Sequence, residues 1–577
     1  MNDYRTLTAS EIAALEANRV WAEDWSQVEV SANFRTAQLR DCCLEGHIVL
    51  GEDARVERSR VKNYRIGARS IVRDVQALEC REESAFGNGV EVAAVNECGG
   101  RNTMIHTEMT AQTAYMTVLY RHRPAFIARM EAMTRDLVDR KRDTMGTIGE
   151  DCRITGARFV REMVLGNRVM VDGASILQNG TLMDDVHIGV DVKAYDFIVA
   201  EGAKMDNGVV VERSFVGEGS VMDKNFTASD SLFFANAHCE NGEAASIFAG
   251  PYTVSHHKSS LLIAGYFSFF NAGSGSNQSN HLFKSGAVHQ SIHLRGCKFA
   301  SSAYVMSPAI EGAFTMVMGH HSFHHDTTIF PYSYLVERDG KSVLMPGANL
   351  QSYGSVRDIE KWPKRDLRTV NRDIINYEEY NPYIMEQMLH AIDALHELED
   401  GDPDAPTYVY NKVQIRASSL RRGLGLYNKT LVAAIGKMLS EGQSLSRYDG
   451  TGRWIDLAGQ YITKREVDRV IDAVEHQELT TFQAIDNRLR VFHIHYADYA
   501  HGWAEAVYAS ILGHAPSDGE IEDIRRAGDN AHLALRAMAE EDRKRDCSLE
   551  MAVGYGIDSE NEEERAADFI AVRGLKA

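Results

Sequence analysis

The chain has 577 residues, of which 44% are hydrophobic and 25% charged, a balance that excludes a wholly disordered chain or a collagen-like fibre. Its formal net charge of −20 argues against nucleic acid or an anionic membrane surface as a partner. Residues 1–14 lack a secretory leader pattern, and the eight cysteines contain no CxxC pair, so we expect a cytoplasmic protein. The most apolar stretch, residues 261–270, is far shorter than the roughly 20 residues of a membrane-spanning helix.

The first predicted element is a short helix over about residues 9–18. Thr8 and Glu11 have the spacing of a capping box, in which each side chain bonds the backbone amide of the other residue. Leu7 can pack against Ile12 across the start of this helix. We assign residues 1–33 to an N-terminal helix and docking segment.

A short repeat begins near Ile48. Apolar residues lie six apart, as in Ile176, Leu182, Ile188 and Ala194, and a branched aliphatic residue followed by Gly recurs. A period of six is typical of a hexapeptide-repeat, left-handed parallel β-helix, in which each face points one aliphatic side chain inward and small residues turn the corners. A stack of antiparallel hairpins would require Asn-Gly or Asp-Gly turns at hairpin spacing and explains less of this segment. The sequence therefore predicts a β-helix domain over residues 34–370.

Two regions of the chain show helical spacing instead. Apolar residues on both sides of Pro124 predict two helices in an insertion over residues 104–146. The hexads end near Asp366, and helical spacing follows in residues 384–399, 429–440, 465–475 and 520–544. The predicted fold class is mainly β with α: a β-helix with a helical insertion, followed by an all-α domain over residues 371–577.

Histidines are concentrated in one part of the predicted β-helix. Ten of the 22 histidines lie between Ala237 and Asp326, and histidine suits both proton transfer and metal binding near neutral pH. The competing explanation is structural, because stacked coils place equivalent polar residues in ladders that bond to one another. We interpret the concentration as a functional site.

The polar segment of residues 273–281 ends in His281, with Lys284 three residues later. Its amides suit an anionic or hydroxyl-rich ligand, although its glycines alone would equally suit a wide turn. His281 is the predicted base and Lys284 its charge partner. The other predicted catalytic residues are Asn280, His256 and His257, and the residues predicted to bind substrate here are Asn277 and Gln278.

A metal site is the second hypothesis for these histidines. His321 and His325 are four residues apart, which on a helix would place them on one face, and Asp326 and His289 complete the predicted ligand set. No HExxH pattern is present, and in a loop this spacing would carry no information. Imidazole ligands favour zinc or a similar ion.

A basic island follows in this acidic chain. Arg357, Lys361 and Arg365 surround Trp362, and we predict that they bind a phosphate or carboxylate group of the substrate. The alternative is a solvated junction whose charges pair with the acidic helices.

The hexads resemble those of hexapeptide-repeat acyltransferases and of the C-terminal domains of sugar-nucleotide pyrophosphorylases. A closer resemblance rests on six ordered motifs: Tyr120-Arg121-His122-Arg123-Pro124, His256-His257, Leu261-Leu262-Ile263-Ala264-Gly265, Ser279-Asn280-His281, Pro331-Tyr332-Ser333-Tyr334-Leu335 and Trp362-Pro363-Lys364-Arg365-Asp366. In these motifs the chain resembles large bacterial β-helix proteins of the DUF4954 type, loosely related to UDP-N-acetylglucosamine pyrophosphorylases. Residues 1–34 contain no Gly-rich nucleotide loop, which argues against nucleotidyl transfer.

Three functions follow from these observations. The first is a transferase acting on a sugar or sugar-nucleotide-like metabolite, most like an acyltransferase with a histidine base and acyl-CoA as donor. The second is a metal-dependent lyase or hydrolase in which clustered histidines hold zinc. The third is a non-catalytic binding scaffold. The resemblance also implies a homo-oligomer, as a trimer, unless the helices cover the coil ends.

Overall fold

The structure is a computed structural model that describes residues 4–279, 290–443 and 448–574. Its largest part is a parallel β-solenoid. Ile176 pairs with Lys193, and Lys193 pairs with Val210, so each of these steps is one full coil. The coil is a residue shorter from Thr227 to Glu243 and a residue longer from Glu243 to Leu261. The predicted β-helix is confirmed as a parallel β-solenoid, whose regular coil is 17 residues long.

The larger parallel sheet covers two faces of the coil, and Tyr4–Thr6 joins it as an antiparallel strand. Its strands are Tyr4–Thr6, Trp21–Ala22, Val28–Ser31, Cys43–Leu50, Arg60–Ile66, Ala77–Glu79, Gly146–Ile148, Phe159–Leu165, Ile176–Leu182, Lys193–Val199, Val210–Val216, Thr227–Ser229, Leu232–Phe233, Glu243–Ala245, Phe248–Ala249, Leu261–Ile263, Gly265–Phe267, Ser291–His293 and Ile310–Glu311.

The second sheet forms another face, and we call it the outer sheet because its exposed side carries the candidate site. Its strands are Leu39–Arg40, Arg55–Glu57, Ile71–Arg73, Arg153–Thr155, Met170–Asp172, His187–Ile188, Lys204–Met205, Val221–Asp223, His238–Glu240, Val254–Ser255, Asn271–Ala272, Lys298–Phe299, Met316–Met318, Tyr334–Arg338, Lys341–Met345, Thr407–Tyr410 and Val413–Arg416. Smaller sheets comprise Asn277–Ser279 with Tyr304–Met306 and His320–His321, Glu91–Val92 with Thr103–Met104, and Trp454–Leu457 with Gln460–Thr463.

The corners of the coil use left-handed residues, many of them not glycine. Asn179 has φ 50° and Asp196 has φ 55°, and each bends a seven-residue strand at its middle. Asn and Asp tolerate this region better than other side chains. The Asn179 amide also donates to the Asp196 carboxylate at 2.6 Å, so polar corners stack from coil to coil. Glycine alone therefore does not mark the corners.

Eleven α-helices are described: α1 Ala9–Ala17, α2 Ala111–Leu119, α3 Pro124–Lys141, α4 Tyr353–Lys361, α5 Pro382–Gly401, α6 Ala417–Ser440, α7 Lys464–Glu475, α8 Phe482–Ile494, α9 Tyr496–Leu512, α10 Asp518–Arg545 and α11 Glu562–Arg573. Short 3-10 turns occupy Trp25–Gln27, Thr36–Gln38, Ala348–Gln351, Pro363–Arg365 and Leu549–Ala552. Among the described helices, none combines the length and apolar character needed to cross a membrane.

The helix predictions are confirmed where the apolar pattern was strong. The capping box of Thr8 and Glu11 is present at the start of α1. The insertion contains α2 and α3, and the C-terminal region contains the four predicted helices as α5, α6, α7 and α10. Helices α4, α8, α9 and α11 were missed, as were two hairpins, Thr407–Tyr410 with Val413–Arg416 and Trp454–Leu457 with Gln460–Thr463. Both hairpins lie within the region expected to be all-α.

The helical insertion leaves the solenoid without breaking it. Tyr64 lies next to Gly146 in the parallel register, so the coil after the insertion stacks directly on the coil before it. The ring of Tyr64 fills the space that a side chain at Gly146 would need. Residues 81–145 therefore form an insertion outside the stack of coils, and the stack resumes at Gly146.

The segment joining solenoid and helices is fixed by two buried carboxylates. Glu218 accepts hydrogen bonds from the backbone amides of residues 369–372, at 2.5 to 3.0 Å. Asp373 accepts from the amide of Ala111 at 2.7 Å and from that of Ala235 at 2.9 Å. Charge-assisted hydrogen bonds of this kind are roughly twice as strong as neutral ones.

Arg295 connects the solenoid to the hairpin of the helical region. Its guanidinium is fully buried, 3.8 Å from the ring centroid of Phe269 and 4.4 Å from that of Tyr461. It donates to the carbonyl of Gly459 at 3.3 Å and lies 3.4 Å from the carboxylate of Asp456. A planar cation suits this position, because it can stack on two rings while donating at its edge.

We expect Arg295→Met to lower the free energy of unfolding by about 3–5 kcal/mol, because the buried carboxylate of Asp456 loses its cation. Arg526→Met is the matched control, since Arg526 lies on the exposed face of α10 and should change stability by less than about 0.5 kcal/mol. Urea denaturation followed by circular dichroism measures both. Equal midpoints for the two variants would show that Arg295 does not hold the two parts together.

Candidate functional site

A cleft of about 650 Å³ lies between the outer sheet and α4, and we call it the α4 pocket. It is lined by side chains from five neighbouring coils on one side and by α4 and the following turn on the other. The lining residues are Gly219, Val221, Asn236, Ala237, His238, Tyr252, Val254, His256, Phe269, Phe270, Asn271, Lys298, Asp358, Lys361, Trp362, Lys364, Arg365 and Leu367.

In-register pairing builds the solenoid side of the α4 pocket. Val221, His238, Val254, Asn271 and Lys298 are consecutive partners in the outer sheet. Because side chains alternate along a strand, all five point away from the interior. The next residue of each strand points inward, as the buried Cys239 does after His238. The first residue of each of these strands therefore faces the pocket.

His238, Glu240 and His256 form a compact group at this wall. One nitrogen or carboxylate oxygen from each lies within 4.8 Å of the other two. The Nε2 of His238 is 3.1 Å from Oε1 of Glu240, and the Nδ1 of His256 is 3.9 Å from Oε2. The imidazole rings are 4.5 Å apart and nearly perpendicular. We call these three residues the His–Glu–His group.

The electrostatics of the group favour an ionised carboxylate at Glu240 and a neutral imidazole at His256. Burial opposes ionisation of Glu240, but Lys224 and His238 outweigh it and lower the pKa of this carboxyl. Burial, followed by repulsion from His238, lowers the pKa of His256. A neutral imidazole beside a carboxylate can accept a proton or coordinate a metal ion.

The side of the pocket formed by α4 and the following turn is basic. Asp358 of α4 forms an ion pair with Lys298 of the outer sheet, which ties the helix to that sheet. Lys361, Lys364 and Arg365 add three cationic groups without a matching carboxylate in the lining. Burial and then the nearby Arg365 lower the pKa of Lys361, as expected where cations crowd together. An anionic ligand would relieve this repulsion.

Aromatic rings form the floor of the pocket and hold Trp362 in place. Trp362 lies edge-on to Phe269 at 4.6 Å, and Phe269 stacks on Tyr252 at 5.2 Å. The Tyr252 hydroxyl donates to the carbonyl of Trp362 at 2.9 Å. The guanidinium of Arg295 also stacks on the ring of Phe269. Phe269 therefore belongs both to the pocket floor and to the buried contact between the solenoid and the helices.

Three predicted site residues line the α4 pocket together: His256, Lys361 and Arg365. They come from two parts of the chain that are far apart in sequence and that the sequence analysis treated as separate clusters. Two neighbours are placed elsewhere. His257 is exposed outside the lining, and Arg357 is exposed beside Asp358. The basic island is thus both a junction, through Asp358, and a pocket wall.

The described part of the polar segment includes the strand Asn277–Ser279, which belongs to the three-stranded sheet and not to the outer sheet. Asn277 is half-buried and pairs with Tyr304 in the three-stranded sheet. Gln278 is fully buried, and its side-chain nitrogen and oxygen have no hydrogen-bonding partner within the described ranges. Four predicted residues lie outside the described residues: Asn280, His281, Lys284 and His289. The catalytic prediction for His281 and Lys284 stays a prediction.

Of the other predicted metal ligands, His321 and His325 are buried, whereas Asp326 is exposed. His325 belongs to a buried polar network around Glu311. Glu311 is fully buried and bonds His293 at 2.5 Å and His325 at 2.8 Å. His321 bonds the hydroxyl of Ser342 at 2.8 Å. Asp326 accepts from the amide and the hydroxyl of Thr328. The nitrogens of His321 and His325 are therefore engaged in hydrogen bonds, and metal binding at His289, His321, His325 and Asp326 stays a prediction.

Three residues at this wall were absent from the predicted site: His238, Glu240 and Lys298. Their signal is the coil length. His256 follows Glu240 by 16 residues, the same step that pairs His238 with Val254 in the outer sheet. Residues one coil apart face the same side of the solenoid, so a histidine one coil after a carboxylate predicts contact.

A family model described as a domain of unknown function, DUF4954, matches residues 54–399, which is more than half of the chain. The chain belongs to this family. The α4 pocket lies entirely within the DUF4954 match, and the resemblance drawn from the six motifs is confirmed. A second model, described as a domain of unknown function, DUF6819, matches residues 437–576 of the helical region.

The chain is also similar to an uncharacterized protein of Treponema pallidum (strain Nichols), with 24% identity over 378 residues. The match covers 59% of this chain and 50% of the relative, so the chain spans about half the length of that relative.

The buried network gives a prediction for stability. Burial opposes ionisation of Glu311, but attraction and hydrogen bonds from His293 and His325 lower its pKa to about 2. Removing the carboxylate leaves the two buried imidazoles without their charged partner. Glu311→Gln should therefore lower the free energy of unfolding at pH 7 by about 3–5 kcal/mol. Glu243→Gln is the control, because Glu243 is exposed on the same solenoid.

The pH dependence of that loss follows from the sign of the shift. A lowered pKa stabilises the fold above the unfolded value of 4.5 and loses this contribution as the pH falls towards about 2. The difference between parent and Glu311→Gln should therefore shrink from pH 5 to pH 3 in urea titrations. A difference that stays constant over this range would contradict an ionised Glu311.

Proposed function

We propose that this protein is an enzyme that binds a small, sugar-like metabolite with a phosphate or carboxylate group in the α4 pocket. The observation that carries the proposal is the meeting of His256 with Lys361 and Arg365 in one cleft. A reactive imidazole facing a cluster of cations, over an aromatic floor, is the composition of a site for a polar anionic ligand. The size of the cleft suits a metabolite rather than a polymer.

Each wall has a separate role in recognition. Lys361, Lys364 and Arg365 bind the anionic group through charge-assisted hydrogen bonds. The amide of Asn271 bonds the hydroxyl groups, since a carboxamide both donates and accepts. Trp362 packs against the apolar face of the ring. Ion pairing between Lys298 and Asp358 keeps α4 against the outer sheet, and thus keeps the two walls at a fixed separation.

The reaction that we propose is acyl transfer, in line with the resemblance to hexapeptide-repeat acyltransferases. His256 accepts the proton of a substrate hydroxyl or amine, and the freed electron pair attacks the carbonyl carbon of an acyl thioester such as acyl-CoA. The carbon–sulfur bond then breaks, and the thiolate takes the proton from the imidazolium. His238 and Glu240 fix the position of the His256 ring by packing against it.

Binding is tested by isothermal titration calorimetry with three probes: inorganic phosphate, glucose 6-phosphate and UDP-N-acetylglucosamine. We expect a phosphorylated probe to bind, and Lys361→Ala/Arg365→Ala to weaken it about 10- to 100-fold, because hydrogen bonds to charged groups contribute about 1.5–3 kcal/mol. Arg357→Ala is the matched control, since Arg357 lies on α4 outside the pocket lining. Equal affinities for the two variants would refute the basic wall as the anion site.

Catalysis is tested with the same substrate candidates and acetyl-CoA, by following release of free thiol. His256→Ala should lower turnover by about 100-fold or more while leaving probe binding within about threefold, as expected when a general base is removed. His257→Ala, at the exposed neighbouring position, should behave as the parent. Unchanged turnover in His256→Ala would exclude this residue as the base.

A second candidate function uses the same wall. The His–Glu–His group has the donor set of a catalytic zinc site, two imidazoles and one carboxylate, which favours a metal-dependent lyase or hydrolase. His238, Glu240 and His256 would hold the metal ion, which would activate a water molecule as nucleophile or base, and the basic wall would again hold the anion. Acyl transfer requires a thioester donor, whereas this alternative requires only metal and water.

A further inference from the structure

The His–Glu–His group places three metal-binding atoms on adjacent coils of a rigid sheet. His238 and Glu240 belong to one strand, two residues apart, and therefore point to the same side. His256 follows the next strand and lies over Glu240. The described residues contain no other group of three His, Cys, Asp or Glu residues with ligand atoms this close.

The separations fit a single ion after small side-chain rotations. Metal–nitrogen and metal–oxygen bonds of about 2.0–2.2 Å place tetrahedral ligands about 3.3–3.6 Å apart. The shortest distances from Glu240 to His238 and His256 are 3.1 and 3.9 Å, which bracket this range. The nearly perpendicular rings can both direct a nitrogen towards a common point.

The ammonium group of Lys224 is the cation that pairs with Glu240 in this structure. Its ammonium lies 2.6 Å from Oε2 of Glu240, so a metal ion must displace it or use Oε1. All four side chains remain partly accessible, with side-chain exposures of 54% for Lys224, 40% for His238, 15% for Glu240 and 38% for His256. The group is therefore open to an ion from solvent.

We infer that His238, Glu240 and His256 bind one divalent transition-metal ion, best zinc, at the wall of the α4 pocket. Two imidazoles and one carboxylate form a ligand set common to catalytic zinc sites, and three protein ligands leave a fourth position for water or substrate. Since His238 and His256 line the pocket, that fourth position faces the bound anion. The metal site stands on this geometry and on no assumption about the substrate.

The inference concerns the same site as the proposed function and bears on which group accepts the proton. If zinc were bound, His256 would be a ligand, and a water activated by the metal would serve as the base in place of its imidazole. The second candidate function rests on this site, while acyl transfer with His256 as base requires it to be metal-free.

Zinc binding is tested by calorimetry and elemental analysis on untagged full-length protein stripped with EDTA. We expect one zinc per chain, and affinity lowered at least tenfold in His238→Ala, Glu240→Gln and His256→Ala. Lys224→Gln should bind zinc about two- to fivefold more tightly, because the competing ammonium is removed. His257→Ala should bind as the parent. Cobalt(II) provides a second readout, since tetrahedral coordination gives visible absorption bands that His256→Ala should abolish.

Failure of zinc binding and failure of phosphate-probe binding can be told apart. A parent protein without stoichiometric zinc, or group variants that bind zinc as the parent does, would overturn the inference. Phosphate-probe binding by the EDTA-stripped protein, with its dependence on Lys361 and Arg365, is measured separately. Loss of zinc binding with retained probe binding therefore leaves the proposed function intact, and the reverse result leaves the metal site intact.

Discussion

In-register stacking of coils is the constraint on which the whole structure depends. A residue of the solenoid has its equivalents one coil before and one coil after it, at the same depth and facing the same side. A polar side chain at an inward position is therefore buried between the inward side chains of the two neighbouring coils. It needs a hydrogen-bonding partner from one of those coils. Glu311 fits this pattern, because His293 and His325 reach its carboxylate from adjacent coils.

The same stacking supplies only half of the α4 pocket. An outer ladder is a flat surface, and it becomes a cleft only because α4 and the following turn are fixed over it. Contacts beside the cleft hold this cover in place: Glu218 fixes residues 369–372, and Arg295 joins Phe269 of the pocket floor to the hairpin at Tyr461. Buried charges thus position the site without touching a ligand.

The sequence predicted the solenoid, the insertion and most long helices, because hexads and apolar spacing are repeated signals. It also proposed His256, Lys361 and Arg365 as site residues, but in separate clusters, whereas the structure brings them into one pocket lining. Histidine density cannot separate outward from inward positions, since a shift of one residue reverses the side a strand residue faces. His238 lies at the pocket, whereas His293 and His325 lie in the interior. Coil steps of varying length prevented the phase from being followed from the hexads alone.

Charge narrows the kind of ligand that the pocket can accept. The chain carries a net charge of −20, yet the lining of the α4 pocket contains four cationic side chains and one carboxylate. Exposed charges are screened beyond about 8 Å at physiological ionic strength, so a ligand inside the cleft interacts mainly with the lining. A long polyanion would extend beyond the lining and meet the net negative charge of the chain. Under the proposed function, the basic lining and this negative net charge therefore favour small anions over nucleic acid or anionic polysaccharide.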